Sequence, residues 1–301
     1  MFFRNLVLFR FPVTLNFDDL EAHLTECQLK PVGPLELASR GFVSPFGRDS
    51  EVFAAKQGDA IWLTVGGEDK ILPSSVVNDL LSKKLAEIEQ KEGRKPGGRT
   101  RKRIKDELVT ELLPRAFVKP GRADGLIDLG HGVIAIDTSS RKVGENVVSE
   151  IRRAMGSFPA LPLNAEIAPR SILTGWVAGE PLPEGLSLGD ECELRDPTDE
   201  GGVVKVQHME LQGDEVSKNL EAGKQVTRLA LTLNDHISFV IGEDLVIRKF
   251  KLLDGAVEQL ESTERDDLRA ELDARFALMA GEFRRLFSVL EGAFKLTKAD
   301  A

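Results

Sequence analysis

Apolar residues at Val77, Leu81, Leu85 and Ile88 recur at spacings of three and four, which lines one face of a helix. Pro73-Ser74-Ser75 supplies the start of that helix and Gly93 its stop. The next stretch, GRKPGGR, cannot continue it, because Pro96 and two adjacent glycines break the pattern. A second helix is predicted after Thr100, with Ile104, Leu108 and Leu112 on one face and an end before Pro114. Near the C-terminus, Leu268, Leu272, Phe276, Met279, Phe283, Phe287 and Leu290 mark a long amphipathic helix. Glu264, Asp266 and Asp267 give its first turn the charge that suits a helix N-terminus.

Strand patterns fill the intervals. Residues 2–13 alternate apolar and polar and precede a short helix opening near Asp18. EVFAAK and AIWLTVG flank the turn-forming pair Gly58-Asp59, and GLIDLGHGVIAIDT reads as another hairpin, followed by the helix ENVVSEIRRAMG. Strand–strand–helix units therefore recur at 51–92 and 125–156. A Pro- and Gly-rich passage from Phe158 to Gly189 reads as a connection between lobes. Beyond it come the strand VVKVQHMEL, the helix DEVSKNLEA with Gly223 after it, and a meander from Lys224 to Leu253. Within the meander, Leu229, Leu231 and Leu233 share one face, while Lys224 and Arg228 are assigned to the opposite one. Lys249 pairs with Lys251 in the same way. The fold class is α+β.

Charge changes this picture. The 301-residue chain carries −9, yet Arg94–Lys105 (RKPGGRTRKRIK) holds seven basic residues in twelve and no acidic one. Across Lys83–Arg122 the net is +7, so the remainder carries −16. Most charge runs are solvated helix faces. This one straddles a helix–loop–helix, and the Ile104–Leu108–Leu112 stripe fixes Arg101, Lys102 and Lys105 on the other sides of the second helix, which points to a polyanion site. Scattered basic residues on strands (Lys205, Lys224, Arg228, Lys249, Lys251) suit contact with a phosphate backbone better than reading of base edges. Aromatic residues are 6% with no Tyr, which gives little support to a single-strand stacking platform.

Enzyme signatures are lacking. His23, His131, His208 and His236 stand far apart, with no HxxxH or HExxH pair, and no GxSxG elbow occurs. Gly223-Lys224 is followed by Gln225 and preceded at 218 by a lysine, which excludes a Walker motif. Gly66-Gly67 lacks dinucleotide-fingerprint spacing. Asp128 and Asp137 flank the hairpin and read as surface residues, and Cys27 and Cys192 as small buried hydrophobes. The N-terminal MFFRNLVLFRFPVTL is interrupted by Arg4 and Arg10, unlike a signal peptide, and no run approaches the ~20 apolar residues of a membrane span, so the chain is expected to be cytoplasmic.

LLPRAF (Leu112–Phe117), EDKILPSSVV, RKRIKDEL, NLVLFRF, GFVSPFG, RRAMGSFPALPL, LTGWV, DEGGVV, LEAGKQVTRLAL and FALMAGEF follow one another along the chain. In phrase and order the sequence closely resembles the RdgC family of bacterial recombination-associated proteins, essentially end to end. The resemblance implies a curved, multi-lobed monomer that assembles into a ring-shaped homodimer around duplex DNA. It implies binding without sequence preference, nucleoid association, restraint of RecA by occupation of DNA, and neither catalysis nor a cofactor.

Lys83, Lys84, Arg94, Lys95, Arg99, Arg101, Lys102, Arg103, Lys105 and Arg115 are the DNA-binding candidates of the tip, beside Lys205, Lys224, Arg228, Lys249 and Lys251. The tip dimer contact carries over to Leu112, Leu113 and Phe117, with Phe117 as an apolar plug; the second contact falls in the C-terminal part. The expected regions are a centre (1–75 and 165–230), a tip (76–164) and a base (231–301). One departure is the strand after DEGGV, where a richer basic run in relatives is reduced here to Lys205. The alternative reading is a regulator that contacts RecA directly through the basic tip.

Overall fold

The computed structural model describes residues 3–198, 202–261 and 268–299. The expected charged turn at Glu264, Asp266 and Asp267 lies outside them. The class is α+β: twelve strands (β1–β12) join one largely antiparallel sheet network, with eight α-helices (α1–α8) among the described residues. The chain forms two compact units. The first comprises 1–26, 44–64 and 123–301; the second comprises 27–43 and 65–122. Two long strands, β4 (Ala60–Ile71) and β5 (Phe117–Asp128), contribute a part to each.

In the larger unit the sheet runs β4, β5, β6 (Val133–Asp137), β1 (Leu6–Arg10), β12 (Ile247–Leu252), β11 (Ile237–Gly242), β10 (Gln225–Leu233), β8 (Leu186–Arg195), β9 (Val203–Gln207). β3 (Ala54–Gln57) joins β4 through the turn at Gly58, whose φ of 57° favours glycine. One sheet face is covered by α8 (Leu268–Phe294) and α5 (Pro169–Val177). Phe276, Met279, Phe283, Phe287 and Phe294 pack into one core with Leu6, Leu8, Leu229, Leu231, Leu233 and Phe239. Trp62 stacks on Phe276 at 5.7 Å, and Trp176 meets Phe294 edge-on at 5.5 Å.

The second face is covered only over β1 and its neighbours. There α4 (Arg141–Met155) comes within contact of Phe9, while Phe11, Phe17 (just before α1, Leu20–Glu26) and Phe158 form an aromatic cluster. β1 is therefore buried on both faces, which explains why Leu6–Arg10 is nearly continuous in apolar residues instead of alternating as expected for residues 2–13. Over β8–β12 the second face keeps charged side chains in solvent.

The passage from Phe158 to Gly189 is more than a connection. It contains α5, begun by Pro169, and the start of β8. Their apolar stretches are hidden among five prolines and four glycines, which break up any periodicity. α6 (Asp214–Glu221) and the helical segment α7 (Asp254–Glu261) follow β9 and β12.

In the smaller unit, β2 (Ala38–Val43) lies beside the later part of β4, which lies beside the early part of β5. Helices α2 (Ser74–Glu92) and α3 (Gly98–Leu112) pair as a hairpin. Leu81, Ile104 and Leu108 are its buried centre, with Leu80, Leu85 and Ile88 packed around them. Gly93 ends α2 in the left-handed conformation (φ 71°) and donates its N–H to the Glu89 carbonyl, as expected of a glycine at that position. α3 starts three residues earlier than its sequence pattern implied, because Gly97 in an extended conformation caps it.

Candidate nucleic-acid interface

Hairpin geometry sets the first basic surface. With Ile104 and Leu108 turned into the α2–α3 seam, Arg99, Arg101, Lys102, Arg103 and Lys105 are exposed, as are Arg94 and Lys95 in the connecting loop. α3 has no acidic residue in its first turn, while Asp106, Glu107 and Glu111 occupy its second half. Cations at a helix N-terminus oppose the macrodipole by about 0.3–1 kcal/mol each, so this order of charges costs stability. It also adds the partial positive charge of the helix end to the side-chain charges.

Some of the basic residues are already engaged. Lys83 is paired with Asp79 (2.8 Å), Lys84 with Glu111 (3.2 Å), Arg103 with Glu107 (3.8 Å) and Arg94 with Glu92 (4.0 Å), all exposed pairs of small energetic weight. Among the described residues, Lys95, Arg99, Arg101, Lys102, Lys105 and the exposed Arg115 form no ion pair.

A second surface lies on the open face of β8–β12 in the larger unit. Register places Lys205 on β9 directly opposite Glu193 on β8, and Glu193 opposite Arg228 on β10. The Glu193 side chain is only 8% exposed; it accepts from Arg195 Nε (3.1 Å) and Thr227 Oγ1 (3.2 Å), with Arg228 at 3.6 Å and Lys205 at 3.9 Å. Burial alone pushes the Glu193 carboxyl up, but these hydrogen bonds and the neighbouring guanidinium charges outweigh it and hold the group below the usual carboxylate range. Lys205, Arg228, Arg248 and Lys249 line one cavity of about 160 Å³ together with Glu191 and Glu193.

Two strand assignments change. Lys224 precedes β10, is half-buried and donates to Asn219 Oδ1 (2.9 Å), so it does not share the outward face of Arg228. On β12 a bulge intervenes: Lys251 pairs with Ser238 and Arg248 with Val240, so Arg248 takes the register position expected of Lys249. Lys249 sits in the left-handed region (φ 52°) and donates to both Glu191 oxygens at 2.7 Å. Arg195 and Arg248 belong to this surface and escaped the sequence reading. The alternation Glu191-x-Glu193-x-Arg195 was the available signal, masked because β8 itself was not recognised.

The dimer-contact candidates separate by exposure. Leu113 is buried and Leu112 half-buried, whereas Phe117 is 83% exposed at the start of β5. Leu37 (60%) precedes β2, and Ile71 (44%) ends β4; Lys70 N–H donates to the Leu37 carbonyl, so these apolar residues lie at the same end of neighbouring strands.

Asp128 is not a surface residue, and Asp137 is half-buried. Asp128 is 1% exposed beneath α8, where Arg284 Nε donates to it at 2.9 Å and His131 Nδ1 lies at 3.2 Å. Burial pushes its carboxyl up, and Arg284 and His131 more than reverse this. Asp137 accepts the Arg4 and Asn5 backbone N–H groups, yet burial dominates and raises it. Each closes a strand end where backbone donors or an α8 guanidinium need an acceptor, a requirement invisible in linear sequence. His131 Nε2 also lies 3.1 Å from Ser288 Oγ, giving a serine–histidine–aspartate row. Ser288 is inside α8 and its hydroxyl donates to the Arg284 carbonyl, while the surrounding peptide N–H groups belong to the helix. The row fastens α8 to the sheet, beside the buried pairing of Arg10 with Glu291.

A family model described as "Putative exonuclease, RdgC" matches residues 1–297. The chain belongs to the RdgC family. Relatives named "Recombination-associated protein RdgC" align over 100% of both sequences: those of Xanthomonas campestris pv. campestris (strain B100) and Xanthomonas axonopodis pv. citri (strain 306) are 69% identical, and that of Stenotrophomonas maltophilia (strain R551-3) is 64% identical. This RdgC-family chain carries two clusters of basic residues, one in each unit. Among the described residues no group of three His, Cys, Asp or Glu is arranged to hold a metal ion, and no helix is long and apolar enough to cross a membrane.

Proposed function

We propose that this protein binds duplex DNA without sequence preference, as a homodimeric ring, and restrains RecA-driven recombination by occupying the DNA; the action is one of binding and not of catalysis. The observation that carries this reading is the concentration of Arg94–Lys105 cations on the α2–α3 hairpin of a chain that is otherwise strongly acidic. The open β8–β12 face adds Lys205, Arg228, Arg248, Lys249 and Lys251. Neither surface offers a compact recognition helix with polar side chains for base edges, and exposed lysines and arginines on a strand face suit phosphate oxygens. Release of condensed counterions supplies the free energy, and the acidic remainder limits non-productive adhesion. Phe117, with Leu37 and Ile71 near it, is the proposed dimer contact in the smaller unit, since a solvent-facing phenylalanine at a strand end gains by burial against a second copy. The reading implies a cytoplasmic, nucleoid-associated protein.

The test is duplex binding by fluorescence anisotropy across a salt series. Affinity is expected to fall on a log–log plot with a slope of about −0.9 per phosphate neutralised. Replacing Arg101, Lys102 and Arg103 together by Glu is expected to weaken binding and flatten the slope. Salt-insensitive binding, or a triple variant with unchanged affinity, would refute the reading. Magnesium-dependent shortening of DNA ends that disappears in a point variant would establish an exonuclease instead.

A further inference from the structure

A sheet face built to receive phosphates has no evident use for carboxylates at its centre, yet β8 places Glu191 and Glu193 there. Glu193 is in the middle of a cross-strand row, Lys205–Glu193–Arg228, and Arg195 hydrogen-bonds to it from two residues along the same strand. Its neighbour Glu191 gives both oxygens to Lys249. Lys249 holds that position from a left-handed backbone, which is unfavourable for a non-glycine residue. Four cations therefore surround two carboxylates. The resulting charge of the cluster is half of what the basic residues alone would present.

Resting on the DNA-binding reading above, we propose that Glu193, with Glu191 as its weaker counterpart, limits affinity: it is a built-in competitor that occupies the cations a phosphodiester would otherwise take. Three features fit this role better than a purely structural one. Glu193 is nearly buried, so it sits beneath the cations and cannot swing away when DNA arrives. It remains ionised over the physiological range, held so by the same cations. Thr227 Oγ1 reaches both its carboxylate and its carbonyl, fixing the side chain from below without needing any of the three basic residues. A wall whose cations are half-satisfied from within grips each phosphate weakly, which favours a protein that covers DNA and moves along it over one that arrests at one place.

The experiment compares wild type, Glu193→Gln and Glu191→Gln for binding to one duplex over a salt series, with thermal melts as a folding check. Gln preserves the volume and the hydrogen bond from Thr227 while removing the charge. Loss of one charge several ångströms from a phosphate, in a partly solvated site, is expected to tighten Glu193→Gln binding roughly tenfold at low salt. The freed cations should also steepen the salt slope by about 0.9. Glu191→Gln should tighten binding by roughly threefold, its pair being more exposed, and it decides the matter if Glu193→Gln does not fold. Unchanged or weaker binding by a folded variant, with wild type binding normally, overturns this inference alone. Absence of DNA binding by wild type overturns the functional reading itself.

Discussion

Leu108→Ala tests whether the small hairpin core is what presents the basic surface. Leu108 is 3% exposed, and its fully buried companions in the hairpin are Leu81 at 2% and Ile104 at 4%. A buried Leu→Ala exchange costs about 2–5 kcal/mol, depending on how far the surroundings collapse. Here the neighbouring Leu80, Leu85 and Ile88 are only partly buried and can move inward, so the lower part of that range, about 2–3 kcal/mol, applies. Helices of 19 and 15 residues are marginal by themselves, so this loss falls on local opening of the hairpin. At 1.4 kcal/mol per factor of ten, hydrogen exchange of amides in residues 98–112 should accelerate roughly 30- to 150-fold. Amides of β1 and β12, in the separate core of the larger unit, should keep their protection. DNA affinity should fall several-fold although no charge has changed, because a frayed α3 no longer holds its cations together. Unchanged exchange in 98–112, or equal acceleration throughout the chain, would refute the reasoning.

Phe117→Asp should convert the proposed dimer contact into a charged surface and shift sedimentation toward the monomer, with little effect on melting because the side chain is 83% exposed. A variant that remains as dimeric as wild type would remove Phe117 from the interface. For acid stability, the carboxyls of Asp128, Glu193 and Asp244 are held below their ordinary range in the folded chain. Their stabilisation is present above the unfolded-state pKa of about 4 and is lost as pH falls through the lower folded values. Asp137 has the opposite sign, so the melting temperature should stay level down to about pH 4 and drop below it. Asp128→Asn should lower the melting point at neutral pH and shallow that acid drop; an unchanged drop would show that Asp128 does not contribute to it.

Regular elements were legible wherever the apolar period was long and the stops were unambiguous. α2 runs from Ser74 to the glycine stop at Gly93, and α8 buries Phe276, Met279, Phe283, Phe287 and Leu290 at the predicted spacing. The alternation Leu229-x-Leu231-x-Leu233 likewise gave the buried face of β10. What escaped was decided by partners distant in sequence. α5 is a nine-residue helix and β8 begins among prolines and glycines, and β2 is a six-residue edge strand without a clean alternation. Asp128 is buried because Arg284 arrives from 156 residues away. The site divides in the same way. The cations of Arg94–Lys105 could be counted directly, but Lys224 turns back to Asn219, and a β12 bulge brings Arg248 into the row expected for Lys249. Glu193 showed no sign of its role, since three cations from three strands converge on it only in the folded sheet.

The most direct test of the account is retention on closed circular against linear duplex of the same sequence, as salt is raised after loading. A ring held by two subunit contacts should remain on circles at salt concentrations that release it from linear molecules, and cutting the circle should free it. Equal release from both forms at every salt concentration would contradict encirclement and leave only open-sided electrostatic binding.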